Sequence, residues 1–321
     1  MLKKTNKLIK KTSAKSRGVF LFSGGLDSII AAKILLNQGI KVLGLIFKSY
    51  FFNEKQAVES AKQIGLEFRV IDFSKVHLKI VKNPEFGRGK NMNPCIDCHL
   101  LMFKKAKQIM KKEKFDFVAS GEVLGERPMS QNKEALFLIE REAGLQGLIL
   151  RPLSAKVLPI TLPEKYKWVK RQGLQGIKGR ARKIQLSLAK QFKIKKFPSP
   201  AGGCILTEEV FSNRLGELFE AQDKLAKNDF DILRIGRHFW LDKKIKIVVG
   251  RNQEENEKIE KLKKLKDVLM SLKNYPGPTI LIRNYSQKKL SEVIIKKAKI
   301  LLLKYSPKAK NQKDIQLEIV N

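Results

Sequence analysis

Residues 18–37 read Gly-Val-Phe-Leu-Phe-Ser-Gly-Gly-Leu-Asp-Ser-Ile-Ile-Ala-Ala-Lys-Ile-Leu-Leu-Asn, an apolar run, a glycine-rich hexad and a second apolar run. Residues 18–22 predict a buried strand, and residues 27–37, apolar at Ile29, Ile30, Ile34 and Leu35, predict a helix. The hexad Ser23-Gly24-Gly25-Leu26-Asp27-Ser28 is then the loop between them. Gly24 and Gly25 let backbone N–H groups approach an anion closely, Ser23 and Ser28 add hydroxyl donors, and the start of the helix contributes a favourable dipole. Such a loop suits the phosphates of ATP. A bare Gly-Gly pair would mark only a tight turn capped by Asp or Ser, and it is the complete string that makes the reading specific.

The hexad lacks the Gly-Lys-Ser/Thr ending of a Walker loop and the spaced glycines of a dinucleotide fold, so the usual kinase and dehydrogenase readings lose support. It resembles the PP-loop of ATP pyrophosphatases, enzymes that adenylate a substrate and release pyrophosphate. The resemblance implies that Ser23, Gly24, Gly25 and Ser28 hold the leaving pyrophosphate, and that Asp27 orients the loop or a Mg²⁺, its plain alternative being a helix cap. Arg180 and Arg182 would neutralise charge in the transition state or, alternatively, contact RNA phosphates.

Downstream, strands at 41–47 and 67–73 flank a helix at 54–65. A helix at 99–112, a strand at 115–121, a helix at 130–142 and a strand at 148–153 continue the rhythm. The alternation predicts an α/β fold with a doubly wound parallel sheet, and the PP-loop resemblance implies that it is of the adenine nucleotide alpha hydrolase type. Ligands of such sheets bind at the carboxyl ends of the strands, where the hexad and Gly121-Glu122 both emerge; Glu122 either binds nucleotide or caps the next turn. From Pro163 the pattern turns helical and basic, with a further helix opening at Gly179-Arg180-Ala181-Arg182 and running to Phe192. The Pro- and Gly-rich stretch 197–204 is a loop of defined shape, with Cys204 as part of a lid over the site. A second, smaller α+β domain is expected over 211–321, after a PP-loop domain at 18–210. Its strands are placed at 231–235, 239–241, 245–250 and 279–283, with helices at 252–272 and 288–304.

The 66 Lys and Arg residues against 31 Asp and Glu give a formal net charge of +35, which points to a polyanionic partner, RNA before any other. Residues 1–17 hold no acid and read as a basic flexible arm. With three cysteines, no signal peptide and no long apolar span, the chain reads as a soluble protein of the reducing cytoplasm, not associated with a membrane.

Cys95 and Cys98 form a C-x-x-C at a helix start, followed by His99, and Cys204 lies far along the chain. Three roles fit: Cys95, Cys98 and Cys204 hold a [4Fe–4S] cluster with one open iron, or Cys204 and one of the pair Cys95 and Cys98 are a persulfide carrier and a resolving thiol, or all three with His99 bind zinc. His77 and His238 stand alone and read as structural or surface histidines.

The hexad, the run Gly121-Glu122-Val-Leu-Gly125 with Ser130-Gln131, and Leu150-Arg-Pro-Leu153 together resemble the PP-loop half of the ThiI family of tRNA 4-thiouridine synthases. The three-cysteine arrangement is similar to that of iron–sulfur-dependent tRNA thiolases of the ThiI-like, TtuA-like and MnmA-like kinds. These resemblances cover roughly residues 18–210 and imply ATP-dependent tRNA uridine thiolation, with catalytic roles for Asp27, Cys95, Cys98 and Cys204. They also imply a sulfide or persulfide-carrying protein as donor, and a homodimer is a further expectation. No THUMP-type RNA domain or rhodanese domain is legible. The stretch 247–256, with Pro276-Gly-Pro278, is similar to the RNA-binding module of NFACT proteins, the alternative being an unrelated α+β domain. Two other functions compete: a PP-loop synthetase acting on a small molecule, and a non-enzymatic RNA-binding protein with structural zinc.

Overall fold

Period-two burial in the first apolar run sets the architecture. In the computed structural model, which describes residues 16–198, 204–286 and 289–320, Val19 points into one core and Phe20 and Phe22 into another. Strand β1 (Arg17–Leu21) is thus buried on both faces, as a central strand of a parallel sheet must be. The chain divides into two compact units, residues 1–204 and 205–321. The expected basic arm lies largely outside the described residues, as does 199–203 of the expected lid.

In unit 1, β1 is followed by α1 (Leu26–Asn37), β2 (Lys41–Lys48), α2 (Lys55–Gln63), β3 (Glu67–Asp72), α3 (Ser74–Lys82), α4 (Cys95–Lys112) and β4 (Phe117–Ser120). Helix α5 (Lys133–Ala143), β5 (Ile149–Leu150), the single turn α6 (Leu162–Lys165) and α7 (Lys183–Gln191) complete it. The strand order is β3-β2-β1-β4-β5 and every pairing is parallel. One core joins α1 and α7 to the sheet through Ile30, Leu35 and Ala189, and the other joins α4 and α5 to it through Phe103, Ala106 and Ile139. This is the doubly wound sheet that the strand–helix alternation predicts. The direction of winding reverses between β1 and β4, where such sheets bind ligands.

Unit 2 contains α8 (Glu209–Ala221), α9 (Lys227–Asp231), β6 (Arg237–Asp242), β7 (Ile245–Val249), α10 (Gln253–Lys261), β8 (Val268–Leu272), β9 (Ile280–Asn284), α11 (Glu292–Lys304) and β10 (Leu317–Val320). Its sheet runs β10-β8-β9-β7-β6, all antiparallel. Ile245, Ile247 and Val249 face α11, while Val248 faces Ile259 of α10.

Several expected elements differ. The strand expected at 231–235 is the end of α9 and a 3₁₀ turn (Ile232–Arg234), because the Asp229 carboxylate accepts the Ala226 N–H at 3.0 Å and starts a helical turn there. The long helix expected at 252–272 is a helix and a strand. Asn252 caps its start by accepting the Glu255 N–H at 3.0 Å, and the Lys264 N–H donates to Asp267 at 2.8 Å in the turn that leads into β8. The helix expected from residue 130 begins at Lys133, where the Asn132 side chain caps Ala135. The basic stretch after Pro163 forms only α6 and a 3₁₀ turn (Arg171–Gly173). Helices α3 and α8 and strand β10 have no counterpart among the expected elements.

Candidate functional site

The phosphate loop owes its shape to two glycines that touch neighbouring backbone. Gly24 has φ +75°, and a Cβ there would lie 2.5 Å from the Ala57 Cα of α2, so any side chain is both strained and obstructed. A Cβ on Gly121 would lie 2.6 Å from the Ser28 Cα, so the chain leaving β4 rests on the loop itself. Gly25 is the N-cap of α1 and no side chain caps that helix. The Ile29 N–H makes the first helical bond, to Gly25 O at 3.0 Å, which leaves the N–H groups of Leu26, Asp27 and Ser28 without helical partners. Hydroxyls hold the loop together: Ser23 Oγ donates to Ser28 Oγ at 3.2 Å, Ser28 Oγ to Gly25 O at 2.9 Å, and Ser60 Oγ to Gly24 O at 3.2 Å.

Asp27 sits in the first turn with its Oδ1 buried and without a hydrogen-bond partner among the described residues. Its Oδ2 lies 4.0 Å from the Arg182 guanidinium. Arg182 is brought there by a strand-like contact in which Gly179 N–H donates to Leu124 O at 2.7 Å. Arg180 is exposed on the same segment. Glu126 also faces this spot: burial, and then the charge of Asp27, hold its carboxyl above the ordinary range. An orphaned carboxylate oxygen beside a phosphate-binding loop fits the donor chemistry of Mg²⁺, which takes one or two carboxylates and leaves its other positions to phosphates and water.

Helix α4 feeds β4 and so runs antiparallel to it, which places Cys95 and Cys98 at the carboxyl edge of the sheet. One buried charge network fixes that placement. His99 Nδ1 lies 2.8 Å from Glu122 Oε1, Arg151 Nε donates to Glu122 Oε2 at 2.9 Å, and Arg151 also pairs with Glu140. Burial alone would raise Glu122, but Arg151 and His99 outweigh it and hold the carboxyl down to about 2. Glu122 is therefore committed to Arg151 and His99. Arg151 carried no expected role, although an arginine inside an apolar strand signals a buried acid partner.

Around the thiols, Asn93 Nδ2 donates to Cys95 Sγ at 3.2 Å, and Asp97 accepts the Glu85 and Phe86 N–H groups, which ties down the preceding loop. Burial, then the thiols of Cys204 and Cys95, push the Cys98 thiol well up. All three sulfurs thus belong to one neighbourhood in unit 1. Among the described residues no three His, Cys, Asp or Glu side chains stand close enough to hold a metal ion. The donor set suits a cluster in kind and is not drawn together as a chelate. His77 has no hydrogen-bond partner for either ring nitrogen among the described residues and stacks on Phe73 at 4.9 Å in an aromatic core.

A parallel sheet with a glycine- and serine-lined anion loop at its switch point defines a PP-loop nucleotide-binding domain, joined in this chain to a separate antiparallel unit. Family comparison makes both more particular. Residues 13–157 match the family described as Thiamine biosynthesis protein (ThiI), and residues 236–321 match the family described as NFACT protein RNA binding domain. Among curated proteins, a probable tRNA sulfurtransferase of Finegoldia magna is 32% identical over 146 residues, 44% of this chain and 37% of that protein. A tRNA-specific 2-thiouridylase MnmA of Clostridium acetobutylicum is 32% identical over 120 residues, 31% of this chain and 33% of that protein. The chain spans about a third of the length of these curated relatives. Among solved structures, a predicted subunit of tRNA methyltransferase from Methanocaldococcus jannaschii aligns at 22% identity over 43% of this chain and 69% of that chain, with a TM-score of 0.32. No helix among the described residues is long and apolar enough to cross a membrane.

Proposed function

We propose that this chain thiolates uridine in tRNA at the expense of ATP, forming 2- or 4-thiouridine. The observation that carries the reading is the meeting of two devices at the carboxyl end of β4. Gly121 rests on Ser28 of the anion loop, and its neighbour Glu122 holds His99, adjacent to Cys98. Activation and sulfur delivery thereby share one strand end.

A uridine carbonyl oxygen is a poor leaving group. Its attack on the α-phosphorus of ATP forms a new P–O bond and breaks the bond to the β-phosphate, and pyrophosphate leaves with that electron pair. A sulfide-level sulfur then attacks the ring carbon, and the C–O bond breaks as AMP departs. The free N–H groups of residues 26–28 and the Ser23 and Ser28 hydroxyls hold the departing pyrophosphate, where charge accumulates. Asp27 offers Oδ1 to Mg²⁺, which when bound neutralises phosphate oxygens. Arg182, held near Asp27, adds positive charge on the same side, and exposed Arg180 reaches phosphate or tRNA. Cys95, Cys98 and Cys204 would hold a [4Fe–4S] cluster, which when bound supplies an open iron for the incoming sulfur. Sulfur arrives as sulfide, or as the outer sulfur of a persulfide-carrying protein, in which case a thiol reductant supplies two electrons, breaks the S–S bond and ends in a disulfide; a homodimer grips one tRNA, and the NFACT-type unit adds RNA affinity, consistent with the charge of +35.

The test uses protein purified without oxygen, unmodified tRNA and ATP. tRNA should stimulate pyrophosphate release and thiouridine should appear in the digested RNA, with about four irons and four sulfides per chain. Asp27→Asn should lower thiouridine formation by about a hundredfold. Pyrophosphate release indifferent to tRNA would move the assignment to a small-molecule acceptor. One zinc with no pyrophosphate release would leave a passive RNA-binding protein, and thiolation without metal would assign the cysteines to persulfide chemistry.

A further inference from the structure

The second unit buries a lysine that has nothing to bind. Lys246, in the centre of β7, is 0% exposed, and its Nζ has no hydrogen-bond partner among the described residues. An isolated ammonium in such a place costs several kcal/mol unless something compensates it. What surrounds it is mostly cationic or aromatic. The Trp240 ring, directly across from Lys246 on edge strand β6, covers the ammonium at 4.6 Å. The Arg214 guanidinium of α8 reaches in from above, and two of its N–H groups donate to Leu233 O and Gly236 O. His238 lies beside Trp240 on the same face, with Nδ1 unpartnered. Burial pushes Lys246 down to about 8, Glu217 pulls it up, and Arg214 and Arg283 press it lower.

Elsewhere in this unit the buried charges are matched. Arg283 is paired with Asp267 at 2.7 Å and Asp229 at 3.2 Å. Among the described residues Lys246 has no such acid in contact. Trp240 is only half-buried and its Nε1 donates to Glu217 at 2.9 Å, a single latch. Tyr285 lies 6.0 Å from its ring, and Lys243 and Lys244 are exposed at the adjoining turn.

We propose that Lys246, Arg214 and Trp240 form a nucleotide subsite in which a phosphate of single-stranded RNA binds the two cations and the adjoining base stacks on the indole. The proposal rests on the RNA-directed reading above and adds where in unit 2 the RNA is read. The ring that covers the ammonium turns outward to admit the phosphate. An unpaired base is required because a base within a duplex has no free face to offer the indole.

The chain has two tryptophans, so Trp168→Phe makes Trp240 the sole indole reporter in the full-length protein. Fluorescence would be titrated with a short oligouridylate, a duplex RNA and inorganic phosphate, beside gel-shift affinities for the same RNAs. The single strand should alter Trp240 emission at concentrations where the duplex does not. Lys246→Met should raise the melting temperature, because it removes an unpaired buried charge. It should also weaken single-strand binding roughly tenfold and lower the salt dependence by about one phosphate contact. A variant that is more stable yet binds RNA as before would overturn the subsite, since Lys246 would then be only an unpaired core residue. A response to inorganic phosphate alone would overturn the RNA assignment. If RNA binds tightly while Trp240 stays silent, the subsite fails and the RNA-directed reading stands; if no RNA binds at all, both fail.

Discussion

Each unit of this protein buries a cation in or just beyond a strand of its sheet, and the two are treated oppositely. Arg151, 3% exposed just beyond β5, is enclosed by Glu122 and Glu140. Lys246, 0% exposed in β7, has an indole over it and no acid in contact. A buried cation with two carboxylates is a fastener, because removing it strands two negative charges in a region of low dielectric. A buried cation without a carboxylate adds nothing to stability and persists for another reason. Asp27 belongs with Lys246 in this respect: a buried oxygen without a partner, beside a loop shaped for phosphate.

The largest expected effect tests the fastener. Arg151→Met should destabilise the protein by about 4 kcal/mol, since breaking a buried pair leaves uncompensated charge. The urea midpoint gives the measurement. Arg151→Met combined with Glu122→Gln and Glu140→Gln should recover much of the loss. A single variant as stable as the parent would mean that buried pairing is not what joins α4 to the end of β4.

Two histidines, His77 buried and His238 half-buried, extend the comparison to groups held neutral. Burial holds His77 down to about 4, and burial with Lys246 and Arg214 holds His238 down to about 3. Both lie below the ordinary value near 6.5, so in the acid range the unfolded chain binds protons that the folded chain refuses. Stability is then fully present above pH 6.5 and falls as pH drops toward 4 for His77 and toward 3 for His238. At pH 5 each histidine should cost about 2 kcal/mol. His77→Phe removes both unpartnered ring nitrogens from the aromatic cluster of Phe51, Phe52 and Phe73, and should flatten the pH dependence of unfolding by about that amount. An unchanged slope between pH 7 and 5 would show that His77 gains a proton without cost.

What was legible in the chain follows the range of the interactions. The β1–loop–α1 unit could be read because apolar period, glycines and serines all lie within 20 consecutive residues, 18–37. Turns as local as those set by Asp267 and Asp229 redirected two elements that periodicity misread. In residues 252–272 the lysine-rich stretch Lys263-Lys264-Leu265-Lys266 continues a helical look straight through a turn set by Asp267. The Glu122 network was illegible for a different reason. Its partners lie 23 and 29 residues away along the chain, and no local pattern says that His99 and Arg151 meet one carboxylate. Lys246 was hidden by alternation itself: a lysine between two isoleucines suggests a solvent-facing position, whereas every residue of β7 is buried.

The smallest expected effect shows that burial sets the stakes, and pairing alone does not. Arg69 and Glu113 make a two-pronged ion pair at 2.7 and 3.1 Å, better in geometry than the contact between Asp27 and Arg182. The Arg69 hydrogen bond holds the Glu113 carboxyl below its ordinary range. Yet both side chains are exposed to water, which screens the attraction and solvates either partner left alone. Glu113→Gln should therefore shift the urea midpoint by an amount equivalent to at most about 1 kcal/mol, and half-molar salt should abolish the difference. A loss as large as that of Arg151→Met would mean that charge pairing stabilises this fold wherever it occurs, and the unpartnered Lys246 ammonium and Asp27 Oδ1 would then lose their distinction.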